Sequence, residues 1–322
     1  MRELLLTLVA LAATTTAACA PPGLNIDPER ITVSGISAGG QMAHQMHFAY
    51  SDIFSGAGII AGGPFGCADG SITTAMARCM GAAPDVFPVA EQAAAIRKAA
   101  EGGKLAPLAA LADDPVWLFH GTLDTTVAIG VSDALAALYA EFIPATQSRY
   151  VTDIETEHVF PAQGRGGDCA KKVAPFVGDC DYDAAGELLQ HLYQDLTKPG
   201  SDSEADLTEI NLVGAPTAAL SETAYMFIPS ACVGASQGCA LHLVLHGCAQ
   251  SAIQVGTDFI QQSGYLPWAE ANNIVLAFPQ VVPSAVNPFA CWDWWGYTGI
   301  DYQFRDGAQM TVLANWIKDI LD

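Results

Sequence analysis

Basic residues are scarce in this chain, which contains 13 Lys and Arg against 34 Asp and Glu and carries a formal net charge of −21. Such an acidic surface repels nucleic-acid phosphates and anionic lipid, so we expect a neutral partner and no nucleic-acid binding. Charged residues make up only 15% of the chain and hydrophobic residues 51%, which excludes a disordered protein and provides material for a sizeable core.

Long apolar runs are absent outside the N-terminus, so no segment is predicted to span a membrane. The run at residues 4–13 is too short for a span and, followed by small residues, is typical of a signal peptide over residues 1–18. The residues before Cys19 also imitate a lipoprotein box, although Thr16 fits such a box poorly. We therefore predict a secreted, extracellular protein, with a periplasmic location or a lipid anchor at Cys19 as alternatives.

Zinc-type ligand spacing is missing, because the chain has no CxxC pair and no cluster of His and Cys. His44 and His47 share a predicted helix face but have no third ligand in view, so we expect no metal and no organic cofactor. Nine cysteines in an exported chain instead indicate disulfides, and eight of the nine remain when Cys19 is set aside. Sequence does not determine the pairing; near neighbours suggest Cys169–Cys180 and Cys232–Cys239, and Cys67–Cys79 and Cys248–Cys291 would complete the set.

Short β-branched or apolar segments alternate with helical patterns along the chain, and no internal repeat is visible. This alternation predicts an α/β protein with a mostly parallel sheet flanked by helices. We expect residues 19–322 to form a single domain. The principal predicted strands lie at residues 30–34, 56–61, 115–119, 149–153, 241–245 and 274–278. The predicted helices lie at 41–50, 90–112, 133–142, 184–196, 254–271 and 307–321, and the second of them is interrupted by Gly102 and Gly103.

Residues 35–39 match the motif G-x-S-x-G, with Ser37 at its centre. In the α/β-hydrolase fold this motif forms a sharp turn between a strand and a helix, and its glycines are needed because backbones come close there. Here the motif follows a β-branched segment and precedes a helical pattern, which is the required context. Ser37 is therefore predicted to be a nucleophile rather than a bystander in a glycine-rich turn.

A serine nucleophile needs a base and an acid that orients the base, and in this fold the chain order is Ser, then Asp or Glu, then His. Asp124 follows the predicted strand at 115–119, and His158 follows the predicted strand at 149–153. Both order and placement fit a triad of Ser37, Asp124 and His158. The alternatives are Asp113, Asp114 and Asp153 for the acid and, for the base, His120 and His246, which we expect to shape turns, and His44, His47, His191 and His242, which we expect to be structural.

An ester hydrolase also needs two backbone amides that bind the oxyanion of the tetrahedral intermediate. One is predicted to be the amide of Ala38, directly after the nucleophile. The second normally comes from a loop upstream of the serine, but here the matching His-Gly-Cys sequence at 246–248 follows the predicted strand at 241–245. This order predicts a circularly permuted fold with Cys248 as the second donor, in which the helix at 307–321 would precede the nucleophile strand in the ordinary connectivity.

Four segments together resemble the extracellular poly(3-hydroxybutyrate) depolymerases, above all the circularly permuted, single-domain type known from fungi. They are Gly-Ile-Ser-Ala-Gly-Gly at 35–40, His-Val-Phe-Pro at 158–161, Leu-His-Gly-Cys-Ala-Gln-Ser at 245–251 and Cys-Trp-Asp-Trp-Trp at 291–295. The resemblance covers nearly the whole mature chain. It implies an α/β-hydrolase fold and a serine carboxylic-ester hydrolase that cleaves a polyester through an acyl-enzyme.

The resemblance also implies roles for individual residues. It supports Ser37, Asp124 and His158 as the triad, and the Ala38 and Cys248 amides as the oxyanion hole. It puts a tryptophan of the 292–295 segment in the substrate crevice, and a Cys248–Cys291 bridge would hold the oxyanion loop against that segment. The expected crevice residue is Trp295, with Trp294 and Trp292 as further candidates.

Two other functions remain compatible with these residues. A feruloyl or acetyl esterase acting on plant polymers shares the fold and the triad, and sequence motifs separate such enzymes poorly. A non-catalytic surface lipoprotein that binds polymer has Cys19 as its only positive support. The partner we expect is an insoluble polyester or its oligomers, bound by a monomer.

Overall fold

The protein is described by a computed structural model at residues 23–81, 87–200, 206–236 and 238–321. The predicted signal peptide and Cys19 lie outside these ranges. No helix of the described segments has the length and apolar character that a bilayer crossing requires.

The main sheet has the strand order β4-β3-β2-β1-β10-β11-β9-β8. The strands from β4 to β11 run parallel, whereas β9 and β8 join antiparallel at one edge. The sheet is therefore mostly parallel, as the alternation of segments predicted. Its strands are β1 (Ile26–Ile36), β2 (Ala57–Ile60), β3 (Val116–Phe119), β4 (Ser148–Val151), β8 (Thr208–Asn211), β9 (Thr223–Phe227), β10 (Cys239–Leu245) and β11 (Ile274–Phe278).

Helices cover both faces of this sheet, because successive side chains of a strand point to opposite faces. Val33 of β1 belongs to a core cluster shared with α1, α3, α4 and α9. Ile36 of the same strand belongs to a second cluster shared with α5, α7 and α8. The helices are α1 (Ala38–Ala49), α2 (Ile72–Ala75), α3 (Val89–Glu101), α4 (Ile129–Tyr139), α5 (Ala184–Tyr193), α6 (Ala252–Val255), α7 (Asp258–Gln262), α8 (Tyr265–Asn272) and α9 (Ala308–Leu321).

Glycines divide two of the predicted helical segments. The segment at 90–112 is interrupted at Gly102 and Gly103, as predicted: α3 ends at Glu101, and a 3₁₀ turn follows at Leu108–Asp113. The break in the second segment was not predicted. The helix predicted at 254–271 is three short helices, since Gly256 and Gly264 have φ of 61° and 88°. A left-handed residue cannot continue a right-handed helix.

Residues 160–179 form a small second sheet. Its order is β5 (Phe160–Ala162), β7 (Val177–Asp179), β6 (Gly167–Asp168). The disulfide Cys169–Cys180 closes the segment between β6 and the end of β7. The structure contains the four pairs suggested by the sequence, which are Cys67–Cys79, Cys169–Cys180, Cys232–Cys239 and Cys248–Cys291.

The pairing of β1 with β10 brings two distant parts of the chain together. These strands are parallel, and Gly35 lies opposite Leu245. Parallel strands in register deliver their following residues to the same edge of the sheet. Ser37 and the His-Gly-Cys sequence at 246–248 therefore meet there, although more than half of the chain separates them.

Candidate active site

Ser37 occupies a tight turn between β1 and α1. Its φ of 56° and ψ of −120° lie outside the regions that ordinary residues prefer, and its amide donates to the Ile60 carbonyl at 2.8 Å. A Cβ on Gly39 would lie 2.1 Å from the Leu245 carbonyl oxygen, and one on Gly35 would lie 2.3 Å from the Gly39 backbone. Only glycine fits at these two positions, so the motif folds as a strained turn that presents the serine.

Asp124 and His158, which the sequence predicts as acid and base, form a hydrogen-bonded pair. The His158 Nδ1 lies 2.7 Å from Asp124 Oδ2, and the other carboxylate oxygen accepts the amides of Thr126 at 2.7 Å and Val127 at 2.9 Å. The Asp124 side chain is 1% exposed and that of His158 is 11% exposed. The carboxylate thus fixes the orientation of the ring and leaves Nε2 for proton transfer.

Ser37 and His158 line the same crevice. Within the described chain, the buried His158 Nε2 has no hydrogen-bond partner, so the ring is not bonded to the serine hydroxyl in this conformation. Catalytic hydrogen bonds are often long before substrate is bound. The free Nε2 is the acceptor that a serine proton requires.

Opposing effects set the pKa of Asp124. Burial raises the pKa, but the hydrogen bond and charge of His158, together with the Val127 and Thr126 amides, outweigh burial, so the pKa is lowered. The group is therefore an anion at neutral pH. An anion at this position stabilises the imidazolium that forms when the base takes a proton.

His120 lies behind this pair and fits the expected structural role. Its Nδ1 lies 2.8 Å from the Ser132 hydroxyl, and its Nε2 lies 3.9 Å from Asp124 Oδ2. Burial, opposed by the charge of Asp124, lowers the pKa of His120, so the ring is neutral at neutral pH. His120 therefore packs as a neutral ring close to the same carboxylate oxygen that His158 bonds.

Glu157, for which no role was predicted from the sequence, ties the acid loop to the base loop. One carboxylate oxygen accepts the Thr125 amide at 2.8 Å and the Thr125 hydroxyl, and the other accepts the His158 amide at 2.6 Å. Burial raises the pKa of Glu157, but these hydrogen bonds outweigh it and lower the pKa. The signal available in the sequence is a Glu directly before the predicted catalytic His. That this Glu is buried cannot be read from a single sequence.

We expect the substitution Glu157→Gln to lower kcat by about tenfold to a hundredfold, with a smaller change in KM. The amide keeps one acceptor oxygen and cannot hold both loops, so the acid and base lose their alignment. Steady-state kinetics on a soluble ester, with the melting temperature recorded, measures this effect. The exposed neighbour Glu155→Gln is the matched control, and a Glu157→Gln enzyme with wild-type kcat would show that the two loops are aligned without this carboxylate.

The predicted oxyanion donors converge from the two halves of the chain. Ala38 is the first residue of α1, and the first amides of a helix have no partner within it. On either side of Cys248, the Gly247 amide donates to Gln250 Oε1 at 2.6 Å and the Ala249 amide to the Phe289 carbonyl at 2.6 Å. Over the described residues the Cys248 amide itself donates to no protein acceptor, so both predicted amides are available to a ligand.

His246 shapes the oxyanion loop, as expected, and is not a second base. Burial lowers the pKa of His246 to about 4. The neutral ring donates from Nδ1 to the Gly247 carbonyl at 2.7 Å and accepts the Val281 amide at Nε2, 3.2 Å away. This tautomer follows from the hydrogen-bond partners.

The remaining histidines are structural. Burial lowers the pKa of His242 to about 3, and its ring bonds to Thr32 and Ser34 inside the sheet. His47 pairs with Asp114 at 3.1 Å, which removes Asp114 as the orienting acid. No group of three or more His, Cys, Asp or Glu side chains suited to a metal ion occurs in the described segments.

An apolar crevice of about 510 Å³ surrounds Ser37 and His158. Its lining includes both predicted oxyanion residues, Ala38 and Cys248, and two of the three predicted tryptophans, Trp294 and Trp295. A neutral, apolar substrate fits such walls. Other apolar lining residues are Ile36, Ile72, Met76, Met80, Val127, Phe176, Val286 and Phe289.

Trp292 does not line this crevice, so the prediction that it contacts substrate is wrong for this structure. The side chain is fully buried, with its ring 5.4 Å from that of His246. Trp292 therefore packs beneath the oxyanion loop. The chain bends at residues 293–298, so simple alternation does not place these rings, and the adjacent Trp294 and Trp295 both reach the crevice.

Asp293 fixes the loop that carries Trp295. The buried carboxylate accepts the amides of Trp295, Gly296, Tyr297 and Thr298 and the Thr298 hydroxyl, at 2.6–3.2 Å. No role was predicted for Asp293 from the sequence. A carboxylate followed by Gly within a loop was the signal that could have indicated this backbone anchor.

Comparison with known proteins identifies relatives of the whole chain. A family model described as Esterase PHB depolymerase matches residues 10–161. A poly(3-hydroxybutyrate) depolymerase of Delftia acidovorans is 41% identical over 304 residues, which cover 93% of this chain and 61% of that protein. A polyhydroxybutyrate depolymerase of Talaromyces funiculosus is 34% identical over 333 residues, covering 98% of this chain and 96% of that protein.

Solved structures agree with these relatives. A PHB depolymerase from Penicillium funiculosum superposes with a TM-score of 0.86 at 31% identity, over 94% of this chain and 98% of that one. A PHB depolymerase with a Ser-to-Ala substitution, complexed with an R3HB trimer, also gives 0.86, at 30% identity and with the same coverage. The predicted α/β-hydrolase fold and serine-hydrolase class are confirmed, and the chain belongs to the PHB depolymerase family of esterases.

Proposed function

We propose that this chain is a secreted serine esterase that hydrolyses poly(3-hydroxybutyrate), or a closely related polyester, to oligomers and monomers. The observation that carries the proposal is that His158, hydrogen-bonded to the buried Asp124, lines one apolar crevice together with Ser37. Membership of the family supports the polyester as substrate.

The reaction follows from the positions of these groups. The Ser37 hydroxyl attacks the ester carbonyl and gives its proton to His158 Nε2. The oxyanion is bound by the Ala38 and Cys248 amides, and the imidazolium is stabilised by Asp124. Collapse transfers that proton to the leaving alkoxide, and a water activated by His158 then releases the acyl group from Ser37 as a carboxylate.

The substrate is held by apolar contact. Trp295 and Trp294 offer flat surfaces to an aliphatic polyester, and the Cys248–Cys291 disulfide ties the oxyanion loop to the tryptophan loop. Four exposed apolar side chains that also line the crevice make up what we call the rim. The rim residues are Ile72, Met76, Val286 and Phe289, which are 48%, 53%, 68% and 61% exposed.

The rim supports adsorption to a solid polymer, since exposed apolar patches mark interaction surfaces. We expect the double substitution Val286→Ser with Phe289→Ser to lower erosion of polymer about tenfold more than it lowers hydrolysis of a short soluble ester. Turbidity loss of a polymer suspension and ester kinetics give the two rates. Ile300→Ser removes an even more exposed side chain, 86% exposed and outside the crevice lining, and serves as the control.

The location and domain organisation belong to the same proposal. Four disulfides and the family support an extracellular enzyme, with residues 1–18 as its signal peptide and residues 19–322 as one domain. The strand order supports circular permutation, because the nucleophile strand β1 is the first strand of the described chain yet lies inside the sheet, where the oxyanion strand β10 from the second half of the chain pairs with it.

Product analysis on solid poly(3-hydroxybutyrate) tests the function. The wild-type enzyme should clear the suspension and release soluble hydroxybutyrate oligomers, and the Ser37→Ala variant should do neither. Feruloyl and acetyl esters are assayed in parallel. Cleavage of those esters without polymer erosion would replace the proposal with the plant-polymer esterase, and absence of any hydrolysis would favour a binding protein.

A further inference from the structure

Lys172 is the one residue with a permanent charge among the described residues that line the crevice. The other lining groups are apolar, or are neutral polar groups such as Gln41 and Thr126, apart from the histidine of the triad. A polyester repeat is neutral, and its ester carbonyls are only weak hydrogen-bond acceptors for an ammonium group. A cation at the wall of this crevice therefore needs an explanation other than the polymer repeat.

The Lys172 ammonium is held in place by the protein. It donates to the hydroxyls of Thr125 and Thr126, both at 2.8 Å, on the loop that carries Asp124. Lys172 also lies within the segment closed by the Cys169–Cys180 disulfide. Such anchoring reduces the side-chain entropy that a surface lysine loses on binding an anion.

The ammonium remains accessible. Its side chain is 44% exposed, and two of its three N–H groups are used by the threonines. The Glu157 carboxylate forms an ion pair with the ammonium at 3.8 Å but lies beyond hydrogen-bond distance, and its oxygens already accept Thr125 and the His158 amide. One N–H of Lys172 is therefore left for a ligand.

We propose that Lys172 forms a subsite for the free carboxylate at the end of a hydroxyalkanoate oligomer. The inference rests on the proposed function and extends it from the neutral repeat to the charged end of short chains. A carboxylate is the one anionic group of such an oligomer, and each cleavage creates another. On a chain of net charge −21, a local cation is needed for an acid of this kind to bind in the crevice.

The test compares a hydroxybutyrate trimer with a free carboxylate and the same trimer capped as a carboxamide. The wild-type kcat/KM for the free acid should exceed that for the amide by about threefold to tenfold, mainly through KM, and the difference should shrink in 1 M salt. In Lys172→Gln the ratio should fall to about one. Both substrates are measured on one preparation of each variant. A loss of active enzyme therefore lowers both rates equally and does not change their ratio.

Matched variants separate this role from general charge. Lys171 is the adjacent lysine, 67% exposed, paired with Asp168 at 2.8 Å and outside the crevice lining, so Lys171→Gln should retain the wild-type ratio. Lys172→Arg keeps the charge and should retain a preference for the acid. Equal ratios in wild type and Lys172→Gln would overturn a subsite for the substrate's carboxylate.

A second arm separates the two sources of the carboxylate. Added hydroxybutyrate dimer acid carries the product's carboxylate, and its inhibition should weaken in Lys172→Gln if the subsite takes the product end. If neither the substrate ratio nor this inhibition changes, the carboxylate subsite is wrong. Cleavage of both trimers would still leave the proposed function intact, whereas cleavage of neither would contradict the proposed function itself.

Discussion

The substitution Ser37→Ala is expected to lower kcat on a soluble hydroxybutyrate ester by about 10⁵-fold to 10⁶-fold, since removing the nucleophile closes the acyl-enzyme route. The remaining rate would come from binding and the oxyanion amides alone. Steady-state kinetics at neutral pH measures the loss. The fold should survive, because alanine removes only the hydroxyl from a turn held by the Ile60 carbonyl and by Gly35 and Gly39.

Circular dichroism and the melting temperature of the variant provide the control. A Ser37→Ala enzyme that unfolds near the wild-type temperature and retains more than about one per cent of kcat would show that another residue attacks the ester.

The substitution Asp124→Asn should lower kcat by about 10⁴-fold. An amide in this position favours the wrong tautomer of His158 and cannot stabilise its imidazolium. The loss should be almost entirely in kcat, because Asp124 is buried behind the ring and does not line the crevice. Asp153 is an exposed carboxylate and was an alternative acid from the sequence, so kcat of Asp153→Asn should stay within about twofold of wild type.

The same substitution should change how stability depends on pH. The pKa of Asp124 is lower in the folded chain than its ordinary value, so its charge stabilises the fold above the ordinary pKa. That contribution is lost as pH falls through the lower folded value. The free energy of unfolding, measured with denaturant between pH 5 and pH 2, should therefore fall less steeply with pH for Asp124→Asn than for wild type. Parallel curves of this free energy against pH would contradict the lowered pKa.

The proposed catalytic residues could be predicted from sequence because each follows a strand. Ser37, Asp124 and His158 were predicted from the glycine motif and from chain order after predicted strands. The pairing of β1 with β10 then made the distant His-Gly-Cys sequence a neighbour of the serine. Local patterns suffice where the geometry of a parallel sheet determines the rest.

What the sequence did not predict depends on tertiary contacts. Glu157 and Asp293 act through backbone amides of loops, and no pattern of residue types encodes which amides a carboxylate reaches. Trp292 was assigned to the crevice because three tryptophans stand close together, and only packing separates the buried ring from the lining ones. Gly256 was placed inside a predicted helix, and only its positive φ shows that the helix is interrupted there.

Labelling with a fluorophosphonate, followed by peptide mapping, tests directly whether Ser37 is a nucleophile activated by His158. The probe reacts with a serine only when a neighbouring base and an oxyanion hole activate it. We predict a single adduct on Ser37 in the wild-type protein and labelling slowed by orders of magnitude in His158→Ala. An adduct on a different residue, or labelling of Ser37 at an unchanged rate in His158→Ala, would contradict a Ser37 nucleophile activated by His158.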